Sequence, residues 1–151
     1  MSGVVRKAEQ GDAKAMAAIL QGWLEDTPWM PVLHTLADTE AFCKHLTKTS
    51  DCWVADGAGR VSGFVARDKD WVTALYLAPD ARGRGVGATL LAQAKADCDA
   101  LQLWCFQSNE GARRFYERHG FVAKEFTDGA GNDEKLPDVR FVWRRVQEIN
   151  Q

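Results

Sequence analysis

A glycine-rich turn that contains two arginines is the first segment of this sequence whose residue types suggest chemistry. The apolar run at 75–78 predicts a buried strand that stops at the turn-forming pair Pro79-Asp80. Beyond the turn, apolar residues recur at helical spacing, namely Val86, Leu90, Ala94 and Cys98. The residues that join the strand to this helix are Arg82, Gly83, Arg84, Gly85, Val86 and Gly87.

A strand, a glycine-rich turn and a helix N-terminus in this order form an anion-binding site. The N–H groups of the first helical turn lack partners within the helix, and the helix macrodipole adds partial positive charge there. Glycine lets the backbone approach a phosphate closely and adopt positive φ angles. Two arginines suit a diphosphate better than a single carboxylate. Taken alone, the pattern also fits an ordinary strand-to-helix turn.

Two other kinds of phosphate-binding turn use glycines in this way, and the sequence argues against both. A P-loop needs a Gly-Lys-Ser/Thr triplet, and none follows here. The pattern Gly83-x-Gly85-x-x-Ala88 does fit a dinucleotide-binding turn, which needs an acidic residue about 20 residues later, at the end of the next strand. Residues 102–109 cover that strand end and contain no carboxylate.

A second motif follows the next predicted strand and makes a family resemblance specific. The chain resembles the Gcn5-related N-acetyltransferase (GNAT) family across nearly its whole length. Arg82-x-x-Gly85-x-Gly87 matches the family's acetyl-coenzyme A signature, Gln/Arg-x-x-Gly-x-Gly/Ala. Residues 109–121 are similar to the family's N-x-x-A-x-x-F-Y-x-x-x-G-F. The resemblance implies that acetyl-coenzyme A is the acyl donor.

The resemblance also implies roles for individual residues around that cofactor. Backbone N–H groups of residues 83–87 would hold the pyrophosphate, with Arg82 and Arg84 as charge partners. Main-chain groups at the strand end, above all those of Leu77, would bind the pantetheine arm. Asn109 follows a strand and precedes a helix, where an N-cap is the plain interpretation. A side-chain contact to the cofactor is the additional role that the family implies.

Tyr116 is the candidate general acid that the resemblance implies. When an amine attacks a thioester, the leaving thiolate has a conjugate-acid pKa of about 8.5 if it behaves as a free thiol. A neutral phenol, with a pKa of about 10, can donate a proton or a hydrogen bond to that sulfur as charge develops. The alternative is a packed aromatic residue, although neighbouring Phe115 is the better candidate for the core.

No general base is evident where many relatives carry one. They have a carboxylate on the strand before the phosphate turn, but residues 71–75 contain none. Glu25, Asp26 or His34 could serve, directly or through water, although each is also an ordinary solvated residue. An amine delivered unprotonated would need no strong base.

Acceptor specificity is expected to come from two segments, the loop at 29–34 and the polar stretch at 128–138. The first is apolar, aromatic and bounded by prolines. Trp29, Met30 and Tyr76 could form an apolar or aromatic pocket for the acceptor. Three carboxylates in or beside the second segment could attract a cationic amine or simply be loop charges, namely Asp133, Glu134 and Asp138.

The elements that would position these residues alternate along the chain. Hydrophobic periodicity and turn residues predict the order β-α-α-β-β-β-α-β-α-β-β, an α/β fold with a mixed sheet and helices on both faces. Gly11-Asp12 is expected to be the turn and N-cap of the first helix, whose apolar face carries Met16, Ile19, Leu20 and Trp23. The other predicted helices start near Asp38 or Thr39, at Gly85 and at Gly111. The helix that starts at Gly85 is expected to run to about Leu101.

The chain's last elements carry two further signals. Gly120-Phe121 is expected to end the fourth helix in a Schellman cap. The last strand is expected at 139–146, with Val139, Phe141 and Trp143 alternating with the residues between them in a half-buried pattern.

Composition sets the broad class of the protein. The 151 residues fit a single GNAT domain spanning 1–151, and 46% hydrophobic and 26% charged residues are ordinary for a globular protein. The net charge of −2, without basic clusters, gives no sign of a nucleic-acid or membrane partner. The four cysteines form no C-x-x-C pair, so we expect reduced thiols and no metal site. With no signal peptide or apolar span evident, a cytoplasmic protein is expected.

The expected reaction is acetyl transfer from acetyl-coenzyme A to a primary amine of a small molecule or peptide. Because the cysteines have no base partner in the sequence, direct transfer in a ternary complex is expected rather than an acetyl-cysteine intermediate. The alternative is a non-catalytic acyl-coenzyme A-binding or regulatory module with the same fold. Dimers are common in the family, so the resemblance allows a homodimer.

Overall fold

The strands and helices follow one another in the predicted order. A computed structural model describes residues 4–146, and within them four helices and seven strands run β-α-α-β-β-β-α-β-α-β-β. Two short 3₁₀ helices, Gln10–Asp12 and Pro79–Ala81, precede the first and third α-helices. The chain divides into two compact units after Ala94. No helix in the described range is both long enough and apolar enough to cross a bilayer.

The first unit contains four antiparallel strands and three helices. Its strands are β1 (Val4–Lys7), β2 (Asp51–Gly57), β3 (Arg60–Asp68) and β4 (Trp71–Leu77), paired in that order. Its helices are α1 (Ala13–Asp26), α2 (Leu36–Thr49) and nearly all of α3 (Val86–Lys95). The predicted apolar face of α1 packs Met16 and Leu20 into a core with Val54 and Phe64 of the sheet. Burial of these apolar side chains is the main force that holds the helices to the strands.

Helix α1 begins where it was expected, and Asp12 occupies the predicted N-cap position. Its side chain makes no capping hydrogen bond to α1. Instead its carboxylate accepts the N–H of Glu9 at 2.7 Å and pairs with the Arg6 guanidinium at 2.9 Å. Arg6 holds the pKa of this carboxyl below its usual value. Asp12 therefore fastens the start of α1 to strand β1.

The predicted start of α2 near Asp38 or Thr39 is wrong, because the helix begins at Leu36. Thr35 is the N-cap, and its hydroxyl accepts the N–H of Asp38 at 3.1 Å. The Asp38 carboxylate in return accepts the N–H of Thr35 at 3.0 Å. This reciprocal pair is a capping box, in which Asp38 occupies the third helical position rather than the cap.

Helix α3 is shorter than the predicted span to Leu101, since it ends at Lys95. Val86, Leu90 and Ala94 are buried as the helical stripe predicts, whereas Cys98 lies beyond the helix. Arg67, on β3, donates to the carbonyl of Ala94 at 2.6 Å. The side chain of Arg145 donates to the carbonyl of Lys95 at 2.6 Å. These distant arginines satisfy carbonyl groups that would otherwise lack partners at the helix end.

The second unit contains three antiparallel strands and one helix. Its elements are β5 (Ala100–Phe106), α4 (Glu110–Arg118), β6 (Val122–Phe126) and β7 (Asp138–Arg144), with β7 between β5 and β6. Strand β7 alternates as predicted, since Val139, Phe141 and Trp143 are buried. It ends at Arg144, however, and not at Val146, whose side chain lies in solvent.

The end of α4 is the predicted Schellman motif. The N–H of Phe121 donates to the carbonyl of Tyr116 at 3.0 Å, and that of Gly120 donates to Glu117 at 3.2 Å. Gly120 has a φ of 89°, the left-handed conformation that this motif requires. The motif turns the chain from α4 directly into β6, and Phe121 is buried there.

Candidate active site

The glycine turn, residues 82–87, leads from the end of β4 into α3. Gly83 and Gly85 have φ angles of 74° and 82°, and both are exposed. The carbonyl of Gly85 accepts the N–H of Thr89 at 3.1 Å, so the helical hydrogen bonds start at this residue. The N–H groups of the next three residues therefore have no acceptor within the helix. This backbone is suited to an anion.

The charged side chains around the glycine turn leave it positive. Arg60 binds the Asp80 carboxylate with two hydrogen bonds, of 2.9 and 3.1 Å. The Arg60 hydrogen bonds hold the pKa of Asp80 below its usual value, so this carboxylate is ionised but paired. Arg82 and Arg84 are exposed, and Arg82 reaches back to the Leu77 carbonyl at 3.4 Å. The predicted pyrophosphate ligands and Leu77 thus lie within one short stretch.

Tyr116, rather than Phe115, is the buried aromatic residue of α4, which corrects the expected choice of core residue. The Tyr116 ring packs against Phe121 at 5.5 Å and Phe141 at 6.1 Å between ring centroids. Phe115 is half-buried and packs on His119 at 4.6 Å. Tyr116 belongs to the core of the second unit because its side of α4 faces β7. The catalytic role of its hydroxyl stays a prediction.

Asn109 is the N-cap of α4. Its side-chain oxygen accepts the N–H of Ala112 at 3.2 Å, and its own N–H donates to Phe106 at 3.0 Å. The plain interpretation of this residue is therefore confirmed. The amide N–H₂ group of Asn109 is not needed for the cap, since capping uses the oxygen. The cofactor contact implied by the resemblance stays a prediction.

Trp29 and Tyr76, both predicted to contact the acceptor, lie in one aromatic group of the first unit. Trp23 joins them, with centroids 6.0 Å from Trp29 and 5.3 Å from Tyr76. Phe64 supports the far side of Tyr76 at 5.9 Å. Sequence reasoning placed Trp23 only on the apolar face of α1. The signal that could have identified it is its position in the last turns of α1, just before the aromatic loop.

The three candidate bases are all exposed. Gln21, which is buried in α1, donates to the Glu25 carboxylate at 3.3 Å and to the His34 carbonyl at 3.4 Å. Its own carbonyl oxygen accepts the hydroxyl of Thr39 at 2.7 Å. One amide side chain thus brings Glu25 and the backbone of His34 to the same place at the end of α1.

The second unit contains a pocket of about 470 Å³ between β5 and the loop at 127–138. Its lining residues are Trp104, Cys105, Phe106, Thr127, Gly131, Asn132, Glu134 and Asp138. Two of the three predicted carboxylates, Glu134 and Asp138, therefore share one cavity, whereas Asp133 is exposed. Sequence reasoning missed Trp104. The signal was a large aromatic residue at an outward position of β5, where it is 44% exposed.

Three of the four cysteines have thiols that stay protonated at neutral pH. Burial raises the pKa of Cys105 to about 12 and that of Cys43 and Cys52 to about 11. A thiol is a weak nucleophile until it loses its proton. These side chains are therefore poorly suited to carry an acetyl group.

Comparisons with known proteins found a matching family model and similar proteins. A family model for an acetyltransferase (GNAT) domain matches residues 48–123, a range that includes the glycine turn, Asn109 and Tyr116. Peptidyl-lysine N-acetyltransferase YiaC from Escherichia coli K12 is 30% identical to this chain over 154 residues. That similarity covers 97% of this chain and 100% of YiaC.

Solved structures show the same fold. The solution structure of apo-form YjaB from Escherichia coli has a TM-score of 0.77 at 21% identity, covering 95% of this chain and 98% of YjaB. The structure of yncA from Salmonella typhimurium, a putative acetyltransferase with its cofactor acetyl-coenzyme A, has a TM-score of 0.76 at 16% identity. That comparison covers 98% of this chain and 96% of yncA.

Proposed function

Since this chain belongs to the GNAT family and is an N-acetyltransferase, we propose that its donor is acetyl-coenzyme A and its acceptor a primary amine of a peptide or small molecule. The observation that carries the proposal is the glycine turn, with its two positive φ angles and two exposed arginines ahead of α3. Peptides come first among the acceptors because YiaC is a peptidyl-lysine N-acetyltransferase. The proposal treats residues 1–151 as one acetyltransferase domain and, because the described cysteines are free thiols, places the reaction in the cytoplasm.

Binding of the donor would use backbone more than side chains. In the proposal, the N–H groups of residues 83–87 donate to the pyrophosphate, and Arg82 and Arg84 add charge-assisted hydrogen bonds. The main chain of Leu77 binds the pantetheine arm. The side-chain N–H₂ group of Asn109 contacts the cofactor. The open conformation of the glycine turn supports the pyrophosphate assignment, because it leaves room for phosphate oxygens beside the backbone.

The proposed transfer is direct. The lone pair of the neutral amine attacks the thioester carbonyl carbon, a C–N bond forms, and the C–S bond breaks. The hydroxyl of Tyr116 gives its proton to the departing sulfur. The new amide nitrogen releases its extra proton to water, from which the Tyr116 phenolate regains a proton. The high pKa values of the buried thiols favour this route over an acetyl-cysteine intermediate.

Replacing Tyr116 by Phe tests the proposed acid. We expect the turnover number in a thiol-release assay with a lysine peptide to fall about 10²-fold, because the substitution removes only the proton donor. Calorimetric titration with acetyl-coenzyme A should give the same dissociation constant for both proteins. An unchanged rate would remove Tyr116 from the mechanism. Failure of the wild-type protein to bind acetyl-coenzyme A, with NAD and ATP as controls, would overturn the choice of donor.

A further inference from the structure

The pocket of the second unit combines an aromatic face with carboxylates. Trp104 leaves 44% of its surface exposed, and Glu134 is half-buried in the opposite loop. Asp138 adds a second carboxylate, which is buried and accepts hydrogen bonds from the side chains of Thr127 and Asn132. An indole face and a carboxylate together bind organic cations, because the negative face of the ring and the charge of the oxygen both attract them.

Basic side chains near the pocket bind elsewhere. Arg140 lies opposite Trp104 in the strand pairing, and its guanidinium donates to Glu125 at 3.1 Å and to Gln102 at 3.1 Å. Lys135, next to Glu134, donates to a backbone carbonyl at 2.9 Å. None of the pocket-lining residues of the described chain is basic. Arg113, whose charge acts on Cys105, donates to the carbonyl of Gln107 at 3.3 Å. The lining itself therefore carries two carboxylates and no basic side chain.

The walls of the pocket are already ordered. The Asn132 side chain donates to the carbonyl of Leu136 at 2.7 Å and accepts its N–H at 3.2 Å. The Gln107 amide donates to the carbonyls of Thr127 and Asp138, at 3.1 and 3.0 Å, which fixes both ends of the loop at the end of β5. A ligand would not have to order this loop, so less conformational entropy is lost on binding.

A basic group that stays protonated in this pocket is not the amine that is acetylated. A nearby carboxylate favours the charged form and raises the pKa of a bound amine. A protonated nitrogen has no lone pair with which to attack the thioester. Whatever basic group occupies the pocket therefore serves to anchor the acceptor, and the nucleophile is a different amine.

We propose that the pocket holds a second basic group of the acceptor, a guanidinium or ammonium beside the amine that receives the acetyl group. The acceptor then carries at least two basic groups, as in a peptide whose target lysine has a basic neighbour. Trp104 and Glu134 select this substrate class. The inference rests on the proposed function for the identity of the reaction, but the pocket can be tested without it.

The binding test uses a cation that lacks a free amine. Nα-acetyl-arginine amide is titrated into ¹⁵N-labelled protein, and the indole N–H signal of Trp104, identified from a Trp104→Phe spectrum, reports binding. We expect a saturable shift that weakens about 10-fold in Glu134→Gln and is unchanged in Asp133→Asn. The second variant removes the same charge from the neighbouring exposed residue. No shift up to millimolar probe, or an equal shift in Glu134→Gln, overturns the inference.

The activity test compares two peptides that differ only in one charge. Each contains one lysine, with arginine or its uncharged analogue citrulline beside it. We expect kcat/KM to be about 10-fold higher for the arginine peptide, and this ratio to approach one in Glu134→Gln. Equal values for both peptides in the wild type would contradict the inference, although acetyl transfer itself would stand. If neither peptide nor a panel of small amines is acetylated, the proposed function fails, and the binding test alone decides the pocket.

Discussion

The glycine turn at 82–87 and the loop at 127–138 use the same unusual backbone conformation in opposite ways. Gly83, Gly85 and Gly129 all have positive φ angles, of 74°, 82° and 85°. A Cβ atom added at Gly83 or Gly85 would meet no non-adjacent atom of the described residues within 4 Å. At Gly129 it would lie 2.7 Å from the backbone nitrogen of Leu136 and closer still to its carbonyl group.

The two segments also differ in whether their backbone N–H groups have hydrogen-bond acceptors. In the loop, side chains bind the loop's own backbone: Asp128 accepts the N–H of Ala130 at 3.0 Å, and Thr127 accepts the N–H of Gly129 at 3.1 Å. In the glycine turn, the first N–H groups of α3 have no acceptor within the helix. Glycine thus leaves the backbone accessible to a ligand in the glycine turn. In the loop at 127–138 it allows the backbone of Gly129 to lie against that of Leu136. The following predictions test this difference.

The largest effect on stability is expected from Gly129→Ala. The methyl group would collide with the backbone of Leu136, and alanine would also have to adopt a φ of 85°. We expect the free energy of unfolding, measured by urea denaturation, to fall by about 3 kcal/mol or more. Gly131→Ala is the matched control, since a Cβ there has open space among the described residues and φ is not positive. It should change stability by at most about 0.5 kcal/mol. A loss of stability in Gly129→Ala no larger than that in Gly131→Ala would contradict the prediction, because the loop would then have moved to accommodate the methyl group.

A smaller loss of stability, together with a loss of donor binding, is expected from Gly85→Ala. The left-handed conformation should cost about 1–2 kcal/mol, without a collision. The methyl group would project into the open space beside the turn, so the KM for acetyl-coenzyme A should rise about 10-fold. Gly59→Ala in the β2–β3 turn is the control, because its φ of 79° and open surroundings impose the same strain. A rise in KM in both variants would mean that strain, and not the turn, is responsible.

The smallest effect is expected from Arg60→Met, which leaves Asp80 unpaired beside the glycine turn. Because Arg60 lowers the folded-state pKa of Asp80, the pair stabilises the protein above the unfolded-state pKa of about 3.9 and is lost as the pH falls through the folded value. The difference in Tm between wild type and variant should therefore be constant from pH 7 to 5 and shrink below about pH 4. A difference that grows in acid would contradict the assignment.

The features that were predicted correctly depend on neighbours in the chain. The order of elements follows from hydrophobic periodicity, and the N-cap at Asn109 and the Schellman motif at Gly120 are closed by hydrogen bonds over three to five residues. The glycine turn is also a local feature, because glycine adopts positive φ angles without steric strain. The start of α2 was also encoded locally, in the capping box Thr35-x-x-Asp38. It was predicted wrongly because Asp38 is itself a residue type that favours the N-cap position.

What sequence reasoning missed depends on contacts between distant residues. Helix α3 ends at Lys95, where Arg67 and Arg145 bind the carbonyl groups of Ala94 and Lys95 from 27 and 50 residues away. Tyr116 is more buried than Phe115 because Phe141 of β7 lies on its side of the helix. The pocket exists because Gln107 fixes the loop at 127–138 beside Trp104.

The sequence by itself determined the family, the order of the elements and the glycine turn, since each is written in residues that are close in the chain. The tertiary structure alone decided which aromatic residue is buried, where α3 stops and which carboxylates share a pocket with Trp104. Those outcomes depend on packing and hydrogen bonds between segments far apart in the chain. Which of these contacts form is decided by close packing in the folded protein, where only some side chains fit next to each other.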